Sequence, residues 1–149
     1  MKQEMRLEIE SIPSNESFAR VVVAAFLTRL NPTMEEVADI KTAISEAVTN
    51  AIIHGYQNEI HKIIIEASVE EDTFEVSVQD FGKGIEDISK AMEPLYTTRR
   101  DLERSGMGFV FMEAFMDEIE VFSQVGKGTI VKMKKEIGKG RELWSTQSL

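Results

Sequence analysis

The sequence predicts an α+β sandwich in which helices pack on one face of a sheet. Three observations predict it. Two alternating segments, 63–70 and 74–79, are joined by the tight Glu71-Asp72 turn and read as an antiparallel pair. A second pair, about 118–124 and 129–135, flanks Gly126-Lys127-Gly128. The helical periodicities come in blocks rather than alternating singly with strands, which argues against a doubly wound nucleotide-binding sheet.

The elements follow in order. Leu7 and Ile9 alternate with Arg6, Glu8 and Glu10, a half-buried strand over 5–11. Pro13 breaks it, and Ser14 or Asn15 is placed to cap a helix from Glu16 to Leu30. That helix has a wide apolar set, Phe18, Val21, Val22, Ala25 and Phe26, which suits either core packing or a dimer contact. Arg20 interrupts it, a position suited to a protein partner. Asn31-Pro32 ends the helix. Thr33 and Glu36 have capping-box spacing for a second helix, whose stripe is Val37, Ile40, Ile44, Val48 and Ala51. Gly55 sits where a C-terminal cap belongs. A short helix near Asp87–Met92, a loop over 94–106 and a helix over Met107–Met116 precede the second strand pair. Residues from 138 onward show no period. The expectation is one domain over 1–137 and a disordered tail over 138–149.

Composition narrows the function. The 149 residues suit one domain, with 42% hydrophobic and 29% charged residues, a globular mix. Cysteine is absent, which excludes disulfides, thiolate metal sites and cysteine nucleophiles. Seventeen basic residues stand against 26 acidic ones, a net charge of −9. Direct nucleic-acid binding usually leaves a basic footprint, so none is expected. The start, MKQEMRLEIES, has no apolar signal region, and no stretch approaches a membrane span. A soluble, cytoplasmic chain without membrane contact is the expectation.

Four segments carry chemistry. Glu46, Asn50 and His54 are spaced by four and share one helical face. A carboxylate there can act as a general base, and an amide oxygen is a suitable Mg²⁺ ligand. Alone, the pattern is also that of a solvated polar stripe. Asp80-Phe81-Gly82-Lys83-Gly84 follows an apolar strand, so Asp80 is an acceptor aimed out of the sheet. Gly82 and Gly84 let the backbone approach a ligand. The Asp-Phe-Gly triplet also occurs in eukaryotic protein kinases, but the other kinase motifs are missing. Arg104-Ser105-Gly106-Met107-Gly108-Phe109 opens a helix, a ready phosphate site, with Arg99, Arg100 and Arg104 as cationic donors. Gly126-Lys127-Gly128-Thr129 is a hairpin turn leading into a strand.

In this order and spacing, the four segments resemble the GHKL ATPase superfamily, which includes gyrase, heat-shock chaperone ATPases, histidine kinases and MutL. Glu46 to Gly55 resembles its N box, and Asp80-x-Gly82-x-Gly84 its first glycine box. Gly106-Met107-Gly108 resembles the second glycine box, and Gly128-Thr129 the closing pair. Within the superfamily, SEAVTNAIIHGY, EPLYTT and LERSGMGF are similar to the sporulation anti-sigma serine kinases, over about residues 1–135. Phe81 departs from the polar residue expected in the first glycine box and is placed to alter the pocket rim.

The resemblance implies a sandwich with a mixed sheet, ATP or ADP as ligand, Mg²⁺, and a lid near 94–106. It implies that γ-phosphoryl passes from ATP to a serine of an anti-anti-sigma factor. It further implies a homodimer that holds a sporulation sigma factor when ATP is bound. Glu46 would accept the serine proton, Asn50 would hold Mg²⁺, and Asp80, supported by Thr129, would read adenine. Gly106, Gly108 and the N–H groups that follow would cradle phosphates, and Arg104 would meet the γ-phosphate. Thr97, Thr98 and Ser105 would add lid hydroxyls, Met107 and Phe109 belong to the same nucleotide-binding stretch, and His54 would close the helix structurally.

Three alternatives differ in class or partner. The ATP-binding half of a histidine kinase needs an upstream phospho-accepting histidine, and this chain has only His54 and His61. A nucleotide-gated binding module would lack catalysis. A stress-response anti-sigma kinase would differ only in its sigma factor.

Overall fold

The computed structural model describes residues 1–92 and 108–138. Five strands form one sheet: β1 (Gln3–Glu10), β2 (Lys62–Glu70), β3 (Thr73–Asp80), β4 (Glu118–Gln124) and β5 (Gly128–Glu136). Their spatial order is β1-β2-β3-β5-β4. All four pairings among the described residues are antiparallel, a narrower arrangement than the mixed sheet the resemblance implied. The helices are α1 (Ser14–Leu27), α2 (Met34–Asn50), the short α3 (Ile88–Ala91) and α4 (Gly108–Phe115). The layer is built on α2, which packs against both α1 and α4.

Alternation puts Ile63, Ile65, Val76, Val78, Val131 and Met133 on the helix side, where all are buried. The other face carries ion pairs across the strands: Lys62 with Glu10 at 2.8 Å, Arg6 with Glu66 at 3.7 Å and Lys134 with Glu75 at 3.3 Å. These solvated pairs add little stability but keep that face wet.

Of the two expected helix caps, one is absent and one forms. The first helix starts at Ser14, with Pro13 at the cap position and no side-chain cap. Asn15 instead donates to the Glu10 carbonyl at 2.9 Å, tying the turn to β1. On α1 the buried residues are Ala19, Val23, Phe26 and Leu27, while Phe18, Val21 and Ala25 are exposed. The apolar arc is therefore wider than the core uses. The capping box of α2 forms: Thr33 accepts the Glu36 N–H at 3.1 Å, and Glu36 accepts the Thr33 N–H at 2.8 Å.

No helix among the described residues is long and apolar enough to cross a membrane.

Candidate functional site

The strand ends assemble the site. β3 finishes at Asp80, β5 begins at Gly128, and the register sets Asp80 opposite Thr129. Asp80 is only 6% exposed. Burial pushes its carboxyl up from 3.8 to about 6, while the N–H groups of Gly82 and Thr129 pull it down. The Gly82 N–H reaches Asp80 Oδ1 at 2.9 Å.

The segment after Asp80 is held at almost every residue. The Phe81 N–H donates to the Tyr56 hydroxyl at 2.7 Å, and that hydroxyl donates to the Lys62 carbonyl. The Lys83 N–H donates to the Gly55 carbonyl at 3.0 Å, and the Gly126 N–H to the Lys83 carbonyl at 2.8 Å. The Ile85 N–H donates to Ser123 Oγ at 2.7 Å. The loop is thus pre-organised by protein groups, the condition for precise ligand contacts.

Its glycines answer to this packing. A Cβ at Gly82 would lie 2.0 Å from the Gly55 carbonyl oxygen, and one at Gly84 would lie 2.3 Å from that of Gln124. The protein's own backbone, more than an incoming ligand, demands glycine at Gly82. Gly55 is likewise not a left-handed cap. Gln57 and Asn58 take the positive φ angles there, 50° and 67°. A Cβ at Gly55 would sit 2.7 Å from the Asp80 carboxyl carbon, so glycine is needed for that close approach.

From the helix layer, Glu46 and Asn50 face the first residue of α4. A Cβ on Gly108 would lie 3.1 Å from both Asn50 amide atoms and 3.4 Å from Glu46 Oε2. Between the layers is a cavity of about 530 Å³, lined by Asn50, Asp80, Gly84, Gly108, Phe109 and Thr129 among others. That volume suits a nucleotide-sized ligand. His54 lines it too, in the last turn before the helix ends at Gly55. Glu46 and Gly82 are not among its lining residues.

Other expected residues fall elsewhere. Phe81 does not line this cavity. It is 54% exposed and borders a separate one of about 360 Å³. Arg20 lies on α1, paired with Glu16 at 3.2 Å, and is not brought to the cavity. Thr97, Thr98, Arg104, Ser105, Gly106 and Met107 lie outside the described residues.

Two participants had not been singled out, Tyr56 and Ser123. Ser123 had a signal: Ile119, Val121 and Ser123 share the inward phase of β4, so a hydroxyl replaces an expected apolar residue. Tyr56 had none, because its partners lie on β2 and just past β3.

The donor set fits a nucleotide with its metal. Asp80 is a buried acceptor, α4 begins at a glycine, and Asn50 offers an amide oxygen beside it. One protein oxygen alongside phosphate oxygens and water is ordinary for Mg²⁺.

Comparison with known proteins agrees. The histidine kinase-like ATPase domain family matches residues 9–135. The chain is 53% identical over 146 residues to the anti-sigma F factor of Oceanobacillus iheyensis, covering 97% of this chain and 100% of that protein. It is 60% identical over 134 residues to that of Thermoanaerobacter pseudethanolicus, covering 90% and 94% respectively. Among solved structures, the RsbU and RsbW domains of Rv1364c from Mycobacterium tuberculosis align with a TM-score of 0.65 at 20% identity, over 91% of this chain and 32% of that one. The histidine kinase domain of the Erythrobacter litoralis EL346 blue-light-activated kinase aligns at 0.57 and 19% identity, over 86% and 64%. Those two likenesses bear on the fold alone.

The fold and cavity define a histidine kinase-like, nucleotide-binding ATPase domain. Within that class, this chain belongs to the anti-sigma F factor family.

Proposed function

We propose that this protein is an ATP-dependent serine kinase and anti-sigma factor, which phosphorylates an anti-anti-sigma factor and sequesters a sporulation sigma factor while ATP is bound. The observation that carries the kinase reading is the convergence of Glu46 and Asn50 on the start of α4, beside a cavity whose far wall holds buried Asp80. The names of its relatives support the sigma-factor partner.

Phosphoryl transfer asks mainly for positioning and charge neutralisation. The substrate serine oxygen attacks the γ-phosphorus, the bond to the β-phosphate oxygen breaks, and ADP leaves. Glu46 takes the serine proton. Asn50 would offer its amide oxygen to Mg²⁺, which would supply charge neutralisation for phosphoryl transfer. Asp80 accepts from the exocyclic amine of adenine, and Thr129 supports that contact. N–H groups at the start of α4, with Gly106 and Gly108, receive phosphate, and Met107 and Phe109 belong to the same stretch. Arg104 meets the γ-phosphate, and the hydroxyls of Thr97, Thr98 and Ser105 add phosphate or water contacts. The exposed arc of α1 forms the homodimer contact, with Arg20 at the partner surface. The cytoplasm is the compartment that fits these partners.

Intact-mass spectrometry of the anti-anti-sigma partner tests this. With Mg-ATP, one phosphate is expected on a serine. Glu46→Gln is expected to keep nucleotide and sigma binding while phosphotransfer drops at least ~100-fold, the usual loss for a general base. Undiminished transfer by Glu46→Gln would remove Glu46 as the base. An unchanged partner mass with ATP bound to the wild-type protein would favour a nucleotide-gated binding module.

A further inference from the structure

Ser123 lies on β4, outside the four chemistry-bearing segments, yet its hydroxyl joins two residues of the cavity wall, Ile85 and Thr129, to the Gly128 carbonyl. It accepts the Ile85 N–H at 2.7 Å, lies 2.8 Å from Thr129 Oγ1 and lies 3.2 Å from the Gly128 carbonyl. A hydroxyl has one proton and two lone pairs. Ile85 takes one lone pair, which leaves the proton and one lone pair for Thr129 and Gly128. The Gly128 carbonyl can only accept. If Ser123 donates to Gly128, Thr129 donates to Ser123 and presents only lone pairs to the cavity. If Ser123 donates to Thr129, the Thr129 proton is released to point elsewhere. The polarity that Thr129 shows to a bound base therefore depends on Ser123. Thr129 lines the cavity and pairs in register with Asp80, so this polarity is set beside the buried carboxylate.

We propose that Ser123 is a positioning residue for base selection, holding the Thr129 hydroxyl and the Ile85 N–H so that the wall favours adenine over guanine. The inference rests on the reading of Asp80 as the adenine contact. Adenine carries an amine donor where guanine carries a carbonyl acceptor. An acceptor carboxylate beside a fixed hydroxyl distinguishes the two, and a hydroxyl freed to rotate adapts to either.

Equilibrium binding of Mg-ATP and Mg-GTP to the full chain tests it, with wild type, Ser123→Ala, Ser123→Thr and Asp80→Asn. Ser123→Ala is expected to weaken ATP about 10-fold, near the net effect of one hydrogen bond, and GTP less than about 2-fold. Ser123→Thr keeps the hydroxyl and is expected to retain most of the wild-type ATP-to-GTP ratio. A merely structural role would weaken both nucleotides alike. Equal losses, or undiminished ATP binding by Ser123→Ala, overturn the inference. Asp80→Asn reports on the reading beneath it. An unaltered ratio in Asp80→Asn removes that reading, whereas an altered ratio there with an unaltered one in Ser123→Ala overturns the role of Ser123 alone.

Discussion

Under the proposed adenine contact, Asp80 joins stability to function in one side chain. Its folded carboxyl titrates near 6 against 3.8 for the free group, because burial disfavours the charge. Between those values the folded chain holds a proton that the unfolded chain has released. The stability this confers is present in full below the unfolded value and is lost as pH rises through about 6, a loss of about 3 kcal/mol at neutral pH. Replacing the charge by an amide removes that loss. Asp80→Asn is therefore expected to raise the melting temperature of the nucleotide-free protein at pH 7.5 by about 3–6 °C, even though it gives up part of a hydrogen-bonding carboxylate. Scanning calorimetry from pH 7.5 to 4.5 checks this, with the gap between the two proteins closing as the pH falls. Nucleotide binding runs the opposite way. In the proposed contact the adenine amine pairs more strongly with the ionised carboxylate, so wild-type ATP affinity is expected to fall as pH drops below about 6.

At the scale of elements, α2 is the piece most legible in the sequence. Its capping box, its stripe and the shared face of Glu46 and Asn50 are all periodic, local signals, and the structure has each of them. Thr33→Ala is expected to cost about 1 kcal/mol, a lowering of the denaturation midpoint with an unchanged denaturant slope. What the sequence hides is what happens after Asn50. The helix widens into a π turn over Ala51–Gly55, and Tyr56 swings its hydroxyl to the Phe81 N–H. No local pattern announces a turn whose purpose is a contact 25 residues away. The same holds for Gly55, whose cap-like position concealed a steric reason: the Asp80 carboxyl occupies the space of its missing Cβ. The expectation of a Ser14 or Asn15 cap failed for a related cause, since the Asn15 amide found the Glu10 carbonyl across the turn and Pro13 took the cap position.

For the whole molecule, the exposed stripe of α1 is a feature the single chain leaves unexplained. Phe18 is 51% and Val21 61% exposed, on the helix whose opposite side fills the core. Under the proposed dimer, Phe18→Glu is expected to shift the sedimentation coefficient from dimer to monomer at micromolar concentration. It should do so with little change in the monomer's own fold, because Phe18 contributes nothing to the core. A wild-type chain that sediments as a monomer would remove this surface from the proposal.

The order β1-β2-β3-β5-β4 has a kinetic consequence. β2 with β3, and β4 with β5, are neighbours along the chain and can zip locally, but Asp80 meets Thr129 only when the two hairpins dock through β3 and β5. That docking closes a long loop, which is the slow kind of step in assembling a sheet. A nucleotide thus finds no wall to grip until that seam shuts. Its effect falls on how slowly the finished chain comes apart, and hardly on how fast it is made.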